Sequence, residues 1–198
     1  LTREDEIAYC EERGIELEIT KEKPFSIDEN LWGCAIECGE MEDLWNEPPA
    51  DAWRMTKDPS NAPTGSTSMI LNFAGGIPVG IDGVKMGGVA LIEKLNEIGG
   101  NYGIGRVDMV ENRVVGLKSR EVYEGPAAEI IYQAHDELEK VVLDRATYHY
   151  KQKLSSDFAD LIYGGLWFGP LREAMQAFVE ESQKNVTGDV RIRLSAGA

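Results

Sequence analysis

Residues 105–126 read GRVDMVENRVVGLKSREVYEGP, and this stretch carries the clearest pattern of secondary structure in the chain. Apolar and polar residues alternate through Val107, Asp108 and Met109, and again through Val115, Lys118 and Val122. A period of two is typical of a half-buried pair of strands. Charged and amide side chains of both signs are dense along the stretch. It therefore predicts a strand pair with more hydrogen-bonding groups than a plain hairpin needs.

The segments around this strand pair predict a second hairpin, several helices and a last strand. Gly75-Gly76 joins two short apolar strands, which is a hairpin signal. Residues 87–100, GGVALIEKLNEIGG, have the period of a helix that ends at Gly99-Gly100. Three helices are predicted after Pro126, and DVRIRL at 189–194 alternates as a strand. The side chains predicted to face the core are Val89, Ile92, Leu95, Ile98, Ala127, Ile131, Ala134, Leu138, Val141, Leu154, Phe158 and Leu161.

The first quarter of the chain is less regular. Thr2 is predicted to cap a helix that stops at Gly14, and IELEI at 15–19 predicts a short strand. Residues 21–53 keep no helical or strand period for long, so we predict a long ordered loop there. With strands in the middle and helices late, the fold class is α+β, with a mixed or antiparallel sheet and packed C-terminal helices.

Composition excludes several classes of function. The net charge of −15 repels phosphate backbones, so a nucleic-acid partner is not expected. No apolar run is long enough to cross a bilayer, and we expect no membrane partner. The three cysteines and two histidines lack ligand spacing, so no metal site or catalytic residue is predicted. No phosphate-binding loop is present, and Leu1 at the start suggests a piece of a longer protein.

Two polar clusters remain, at FSIDENLWG (25–33) and in the second half of the opening stretch. Taken singly, these residues are better explained as turn caps and solvated cross-strand pairs. Together, each cluster places a hydroxyl, a carboxylate and an amide beside an aromatic side chain. This combination suits a zwitterionic small molecule rich in hydrogen-bonding groups.

Four segments resemble the argininosuccinate synthase family, in order and with matching spacing. They are FSIDENLWG (25–33), MEDLWNEPP (41–49), GIGRVDMVENRVVGLKSREVYEGPAAEII (103–131) and LIYGGLWFGPLREAMQAFV (161–179). The resemblance covers nearly the whole chain from Ser26 onward. It implies that residues 1–20 are the last helix and strand of a nucleotide-binding domain. Residues 21–198 would then be the synthetase domain, which binds citrulline and forms the multimer.

The resemblance also implies a reaction and its setting. A ligase of this family joins citrulline and aspartate into argininosuccinate and releases AMP and pyrophosphate from ATP, with Mg²⁺ alongside. The ureido oxygen of citrulline attacks the α-phosphate, and the amine of aspartate then displaces AMP. A homotetramer in the cytoplasm, acting in arginine biosynthesis and the urea cycle, is implied as well. The groups that hold most of ATP and aspartate would lie outside this chain, so the isolated chain is expected to be inactive.

Within the chain, the resemblance assigns citrulline contacts to Ser26, Glu111 and Tyr123. A fourth contact falls at Ala35, where a serine is expected, and Cys34 replaces a common arginine beside it. The remaining charged residues of the strand pair are expected to be a scaffold; they are Arg106, Asp108, Arg113, Lys118 and Arg120. The alternative function is a non-catalytic binding or scaffold protein derived from the same family, motivated only by Cys34 and Ala35.

Overall fold

The computed structural model describes residues 3–15 and 25–198 of the chain. The predicted cap at Thr2 and, except for Ile15, the strand predicted up to Thr20 lie outside the described residues. The helices and strands, in chain order, are α1 (Arg3–Glu12), β1 (Ser26–Glu29), β2 (Cys34–Glu37), β3 (Thr67–Ala74), β4 (Ile77–Ile81), β5 (Val84–Lys85), α2 (Gly88–Asn101), β6 (Arg106–Asn112), β7 (Lys118–Glu124), α3 (Pro126–Val142), α4 (Arg145–Tyr163), α5 (Pro170–Gln183) and β8 (Gly188–Leu194).

The described strands form two four-stranded sheets. The first has the order β1-β2-β7-β6, and the second has the order β5-β4-β3-β8. All of their paired neighbours are antiparallel. The predicted strand pair is β6 and β7, and the Gly75-Gly76 hairpin joins β3 to β4. The α+β class is therefore confirmed. No described helix is apolar over enough of its length to cross a bilayer.

The main core lies between the second sheet and helices α2 and α3. Leu71 and Phe73 of β3 pack there with Leu91 and Leu95 of α2 and with the inner stripe of α3. Most of the predicted α3 stripe is buried, but Val141 is 83% exposed and that prediction was wrong. Val142, one residue later, packs against the core instead, because the stripe drifts along a 3.6-residue helix.

Two further predictions about buried residues were wrong or incomplete. Val89 at the start of α2 is exposed, and Leu91 takes its place in the core. Of the side chains predicted to face inward from α4, Leu154 is buried, whereas Phe158 and Leu161 are half-buried. Helices α4 and α5 pack mainly against each other, so only part of each stripe reaches the core.

The prediction of a continuous loop over residues 21–53 was wrong, because this segment contains the hairpin β1–β2. Each strand is only four residues long, too short for its alternation to be recognised. The Asn30 side chain accepts hydrogen bonds from the Trp32 and Gly33 backbone N–H groups and closes the turn. A Cβ on Gly33 would lie 2.6 Å from the Glu124 carbonyl oxygen, so glycine is required there.

Helix α2 ends at Asn101, one residue after the predicted end at Gly99-Gly100. A Cβ on Gly100 would lie 2.3 Å from the Met55 carbonyl oxygen. The Gly100 carbonyl itself accepts a hydrogen bond of 2.8 Å from the Lys57 N–H. These glycines therefore also let a loop approach the last turn of the helix.

Candidate functional site

The first sheet has one face that collects the predicted ligand-binding residues, here called the front face. Strand register places these side chains directly opposite one another, because side chains of one face alternate along each strand. The front-face residues are Ser26 and Asp28 of β1, Ala35 and Glu37 of β2, Ser119, Glu121 and Tyr123 of β7, and Val107, Met109 and Glu111 of β6.

Tyr123 lies at the centre of the front face. Its hydroxyl is within hydrogen-bonding distance of a Glu111 oxygen and lies 2.7 Å from Oε2 of Glu121. Burial, and then hydrogen bonds to these two carboxylates, raise the pKa of the Tyr123 phenol. The phenol therefore stays protonated at neutral pH. It has only one hydrogen to donate, so one of the two carboxylates keeps unused acceptor capacity.

Arg113, in the turn after β6, is the cation of this site. Its Nη2 binds Glu37 on β2 and Glu121 on β7, and its Nε donates to Ser119 Oγ at 2.8 Å. The charges of Glu37 and Glu121 raise the pKa of the guanidinium. Burial alone would raise the pKa of Glu121, but hydrogen bonds from Tyr123 and Ser119 and the Arg113 charge keep it below its ordinary value.

A groove of about 400 Å³ separates the front face from the start of α3. Ala35 and Tyr123 line one side of it, and Glu129 and Tyr132 of α3 line the other. The rings of Trp32 and Tyr132 meet edge to face at 5.8 Å at its border. The groove thus combines aromatic walls with carboxylate oxygens, a lining that can bind a small polar molecule.

The four predicted ligand contacts lie on one face, although they do not all line the groove. Ala35 and Tyr123 are directly opposite each other in the β2–β7 register. Glu111 reaches the same Tyr123 hydroxyl from β6, and Ser26 lies at the outer strand opposite Glu37. A larger groove of about 590 Å³ lies between α3 and β8, and it contains none of these four residues.

The opposite side of the same sheet, here called the back face, is covered by residues 39–58. Ile36, Val122 and Cys34 pack there with Met41 and Ala52. Cys34, where the resemblance expects an arginine, is 3% exposed. Burial, and then the nearby Glu124 charge, raise its pKa to about 11. Cys34 therefore acts as a small neutral core residue.

Most of the charged residues that were expected to be a scaffold lie on the back face. The Arg120 guanidinium makes two hydrogen bonds of 2.8 and 2.9 Å to the Asp108 carboxylate and donates to the Asn46 carbonyl at 2.7 Å. Arg106 donates to Thr56 through two nitrogens, at 2.6 and 2.9 Å. These residues fix the strands and also hold the covering loop in place.

Glu37 and Glu121 are two front-face carboxylates at the centre of the contacts to which the sequence analysis assigned no role in the site. Glu121 could have been found, because Ser119, Glu121 and Tyr123 alternate on one face of β7. Glu37 gave no such signal, because its strand was interpreted as loop. The described residues contain no group of three or more His, Cys, Asp or Glu side chains arranged to hold a metal ion.

Comparison with known proteins agrees with the resemblance over the whole chain. The family model described as "Arginosuccinate synthase C-terminal domain" matches residues 25–198. The chain is 53% identical over 196 residues to the argininosuccinate synthase of Chlorobium limicola, covering 99% of this chain and 49% of that relative. The argininosuccinate synthase of Chlorobaculum tepidum is 52% identical over 197 residues, covering 100% of this chain and 49% of that relative.

The chain thus spans about half the length of the curated relatives that it matches. The matched residues 25–198 include both polar clusters that form the front face. The order and pairing of β1, β2, β6 and β7 place the residues of those clusters together. On the family match and these identities, this chain belongs to the argininosuccinate synthase family, as a part that includes its C-terminal domain.

Proposed function

We propose that this chain supplies the citrulline-binding part of an ATP-dependent ligase that joins citrulline and aspartate into argininosuccinate. One observation carries the proposal: the four residues that resemble citrulline contacts lie on a single face of one sheet. Their sequence separation reaches almost a hundred positions, from Ser26 to Tyr123. Family membership and about half-identity to named synthases support the same function, and they favour it over a scaffold protein.

The chemistry of the front face suits the amino-acid end of citrulline. A carboxylate such as Glu111 can accept a charge-assisted hydrogen bond from an ammonium group. Ser26 and the Tyr123 hydroxyl can donate to a carboxylate or accept from N–H groups. Since Tyr123 cannot donate to Glu111 and Glu121 at once, an incoming ammonium would satisfy the remaining acceptor.

The rest of the reaction depends on residues outside the described chain. Neither the sequence nor the described structure offers a phosphate loop or a metal-ligating cluster, so the residues present do not fit ATP with Mg²⁺. In the proposed enzyme, ATP and aspartate are bound mainly by a nucleotide-binding domain, and residues 1–20 are the last part of that domain. Residues 21–198 form the synthetase domain and hold citrulline for attack by its ureido oxygen on the α-phosphate.

The proposed assembly is a homotetramer in the cytoplasm. Helices α4 and α5 and the turn between them expose several large apolar side chains, which are Tyr150, Ile162, Tyr163, Leu166, Trp167, Phe168 and Leu171. Exposed apolar groups in this number support a contact with another subunit. Light scattering on the full-length protein tests the stoichiometry, and a monomer at working concentration would contradict it.

The decisive experiment on function is Glu111→Gln in the full-length synthase that carries this chain. Losing a hydrogen bond to a charged partner costs about 1.5–3 kcal/mol, so citrulline affinity should fall roughly ten- to a hundredfold. ATP affinity should remain nearly unchanged, because the phosphate-binding groups lie elsewhere. Glu93→Gln, on the exposed side of α2, removes the same charge away from the front face and serves as the matched control.

Two outcomes would contradict the proposed function. If the wild-type full-length protein forms no argininosuccinate from citrulline, aspartate and ATP, the ligase assignment is wrong. If Glu111→Gln leaves citrulline affinity unchanged, Glu111 does not contact the ligand. The isolated chain should show no turnover and should bind citrulline with a dissociation constant in the millimolar range, which is a binding free energy of about −4 kcal/mol. The reason is that the groups proposed to hold ATP and aspartate, and to cover the ligand from their side, lie outside this chain.

A further inference from the structure

Arg113 joins parts of the front face that are not neighbours in sequence. It extends from the turn after β6 and binds Glu37 of β2 through the same Nη2 that binds Glu121 of β7. Its Nε donates to Ser119, and Ser119 in turn donates to Glu121 Oε1 at 3.0 Å. The guanidinium therefore fixes one oxygen of the Glu121 carboxylate from two directions.

The other oxygen of Glu121 faces Tyr123. Oε2 lies 2.7 Å from the Tyr123 hydroxyl, and Glu111 approaches that hydroxyl from the opposite strand. An unbroken chain of contacts thus runs from Arg113 through Glu121 and Tyr123 to Glu111. The Glu121 side chain is only 9% exposed, so its orientation is set by these contacts more than by solvent.

The protonation of the carboxylates in this chain of contacts depends on the positive charge of Arg113. Glu37 and Glu121 face its guanidinium, while Glu111 and Glu121 face the Tyr123 hydroxyl. Arg113, in the turn beside the front face, is the cation in this chain of described contacts, whereas Asp28 adds a further carboxylate to the same face. Like charges that share a site favour protonation of one of them unless a cation compensates.

We propose that Arg113 and Glu121 are positioning residues for the citrulline site: Arg113 orients the Glu121 carboxylate, and Glu121 accepts the Tyr123 hydrogen when a ligand ammonium occupies Glu111. This inference rests on the proposed function, because the ligand is citrulline. It assigns a role to two residues that the resemblance did not include among the citrulline contacts. Neither residue needs to touch the ligand.

Arg113→Gln in the full-length protein tests the proposal. The KM for citrulline should rise at least about tenfold, with a much smaller change in kcat, because ligand positioning is lost while the chemical groups remain. Without the guanidinium, the carboxylate cluster takes up a proton at higher pH. The acid limb of kcat/KM for citrulline should therefore move up by about one pH unit.

Three further variants separate positioning from general loss of structure. Arg113→Lys lacks the planar guanidinium that binds three acceptors in a fixed geometry, so the KM should rise a few-fold. It keeps the positive charge, so the acid limb should stay at the wild-type pH. The double variant Arg113→Gln/Glu121→Gln removes the uncompensated carboxylate and should move the limb back towards wild type. Arg193→Gln, an exposed residue of the second sheet, should leave both quantities unchanged.

The outcomes distinguish this inference from the proposed function. A wild-type protein without citrulline-dependent turnover would contradict the function itself. A wild-type protein that uses citrulline, with Arg113→Gln equal to it in KM and in the acid limb, would overturn only the positioning role. If Arg113→Gln fails to fold, Arg113→Lys and the double variant still decide, because an acid limb at higher pH than in the wild type in both variants would contradict the charge argument.

Discussion

The two faces of the first sheet carry similar charged side chains in different environments. On the back face, the Glu124 carboxylate is 1% exposed and accepts hydrogen bonds from the backbone N–H groups of Arg54, Met55 and Thr56 and from the Thr56 hydroxyl. On the front face, Glu111 and Glu121 share a single phenolic hydrogen of Tyr123. Both faces belong to the same strands, so the difference comes from what covers each face.

The comparison shows how one sheet separates stability from binding. Back-face charges are paired with backbone groups of the loop at residues 39–58, and these bonds order a segment that has little secondary structure. Front-face charges are paired mainly with other side chains and retain acceptor capacity. We therefore expect back-face substitutions to change stability, whereas front-face substitutions should change ligand affinity and leave the fold intact.

The largest effect is expected for Glu124→Gln. The glutamine side chain keeps one acceptor oxygen, but its NH₂ group replaces the other. Some of the backbone N–H groups at residues 54–56 that Glu124 binds therefore lose their acceptor. This should cost about 3 kcal/mol of unfolding free energy and lower Tm by about 6–12 °C. Differential scanning calorimetry against Glu93→Gln measures it. A variant that melts with the wild type would break the contrast between the two faces.

Tyr123→Phe should have a smaller effect, and it should appear in binding. Removing the hydroxyl takes away one neutral hydrogen bond to the ligand, worth about 1 kcal/mol, so citrulline affinity should fall roughly fivefold. Tm should change little, because the ring remains in place and both carboxylates can still bind water. Loss of stability with unchanged affinity would show that Tyr123 is structural.

Asp108→Asn tests how the stabilisation provided by a back-face ion pair depends on pH. The hydrogen bonds from Arg120 hold the pKa of Asp108 below its ordinary value. A lowered folded pKa means that this stabilisation is present above the unfolded pKa, about 3.9, and is lost as pH falls through the folded pKa. The pair is partly exposed, so we expect wild type to exceed Asp108→Asn by less than about 1 kcal/mol at pH 7.

Unfolding titrations in urea at several pH values check this expectation. The difference between wild type and Asp108→Asn should be constant from pH 7 to about 5 and should vanish at more acidic pH. If the difference in unfolding free energy between wild type and Asp108→Asn grew as the pH fell, the prediction would be wrong. That result would mean that the Asp108 carboxylate is not stabilised in the folded state.

The smallest effect is expected for Ala35→Ser. Ala35 lines the groove opposite Tyr123, and a serine there would add the hydroxyl that the family pattern expects. One added hydrogen bond should improve citrulline affinity by no more than a few-fold, without a change in Tm. Weaker binding in Ala35→Ser would mean that the groove has adapted to the smaller side chain.

Much of the fold could be predicted because its patterns are local and long. The β6–β7 pair, the Gly75-Gly76 hairpin and the helices after Pro126 each show their period in sequence. The hairpin β1–β2 does not, because its strands are only four residues long and β2 is stabilised by pairing with β7, whose residues are about ninety positions away. Gly99-Gly100 predicted the end of α2 to within one residue, but only the tertiary structure shows that Gly100 also admits the Met55 carbonyl.

The sequence by itself determined the family and the α+β class, because these depend on residue identity and spacing along the chain, and the four citrulline residues remain a prediction from the family resemblance. Only the tertiary structure decided which face of the sheet each charge occupies and what it contacts. Glu121 and Glu124 are three residues apart on one strand, so alternation sends their side chains to opposite faces. Residues 39–58 cover one face and leave the other accessible, and this long-range packing separates a structural carboxylate from one beside the proposed ligand.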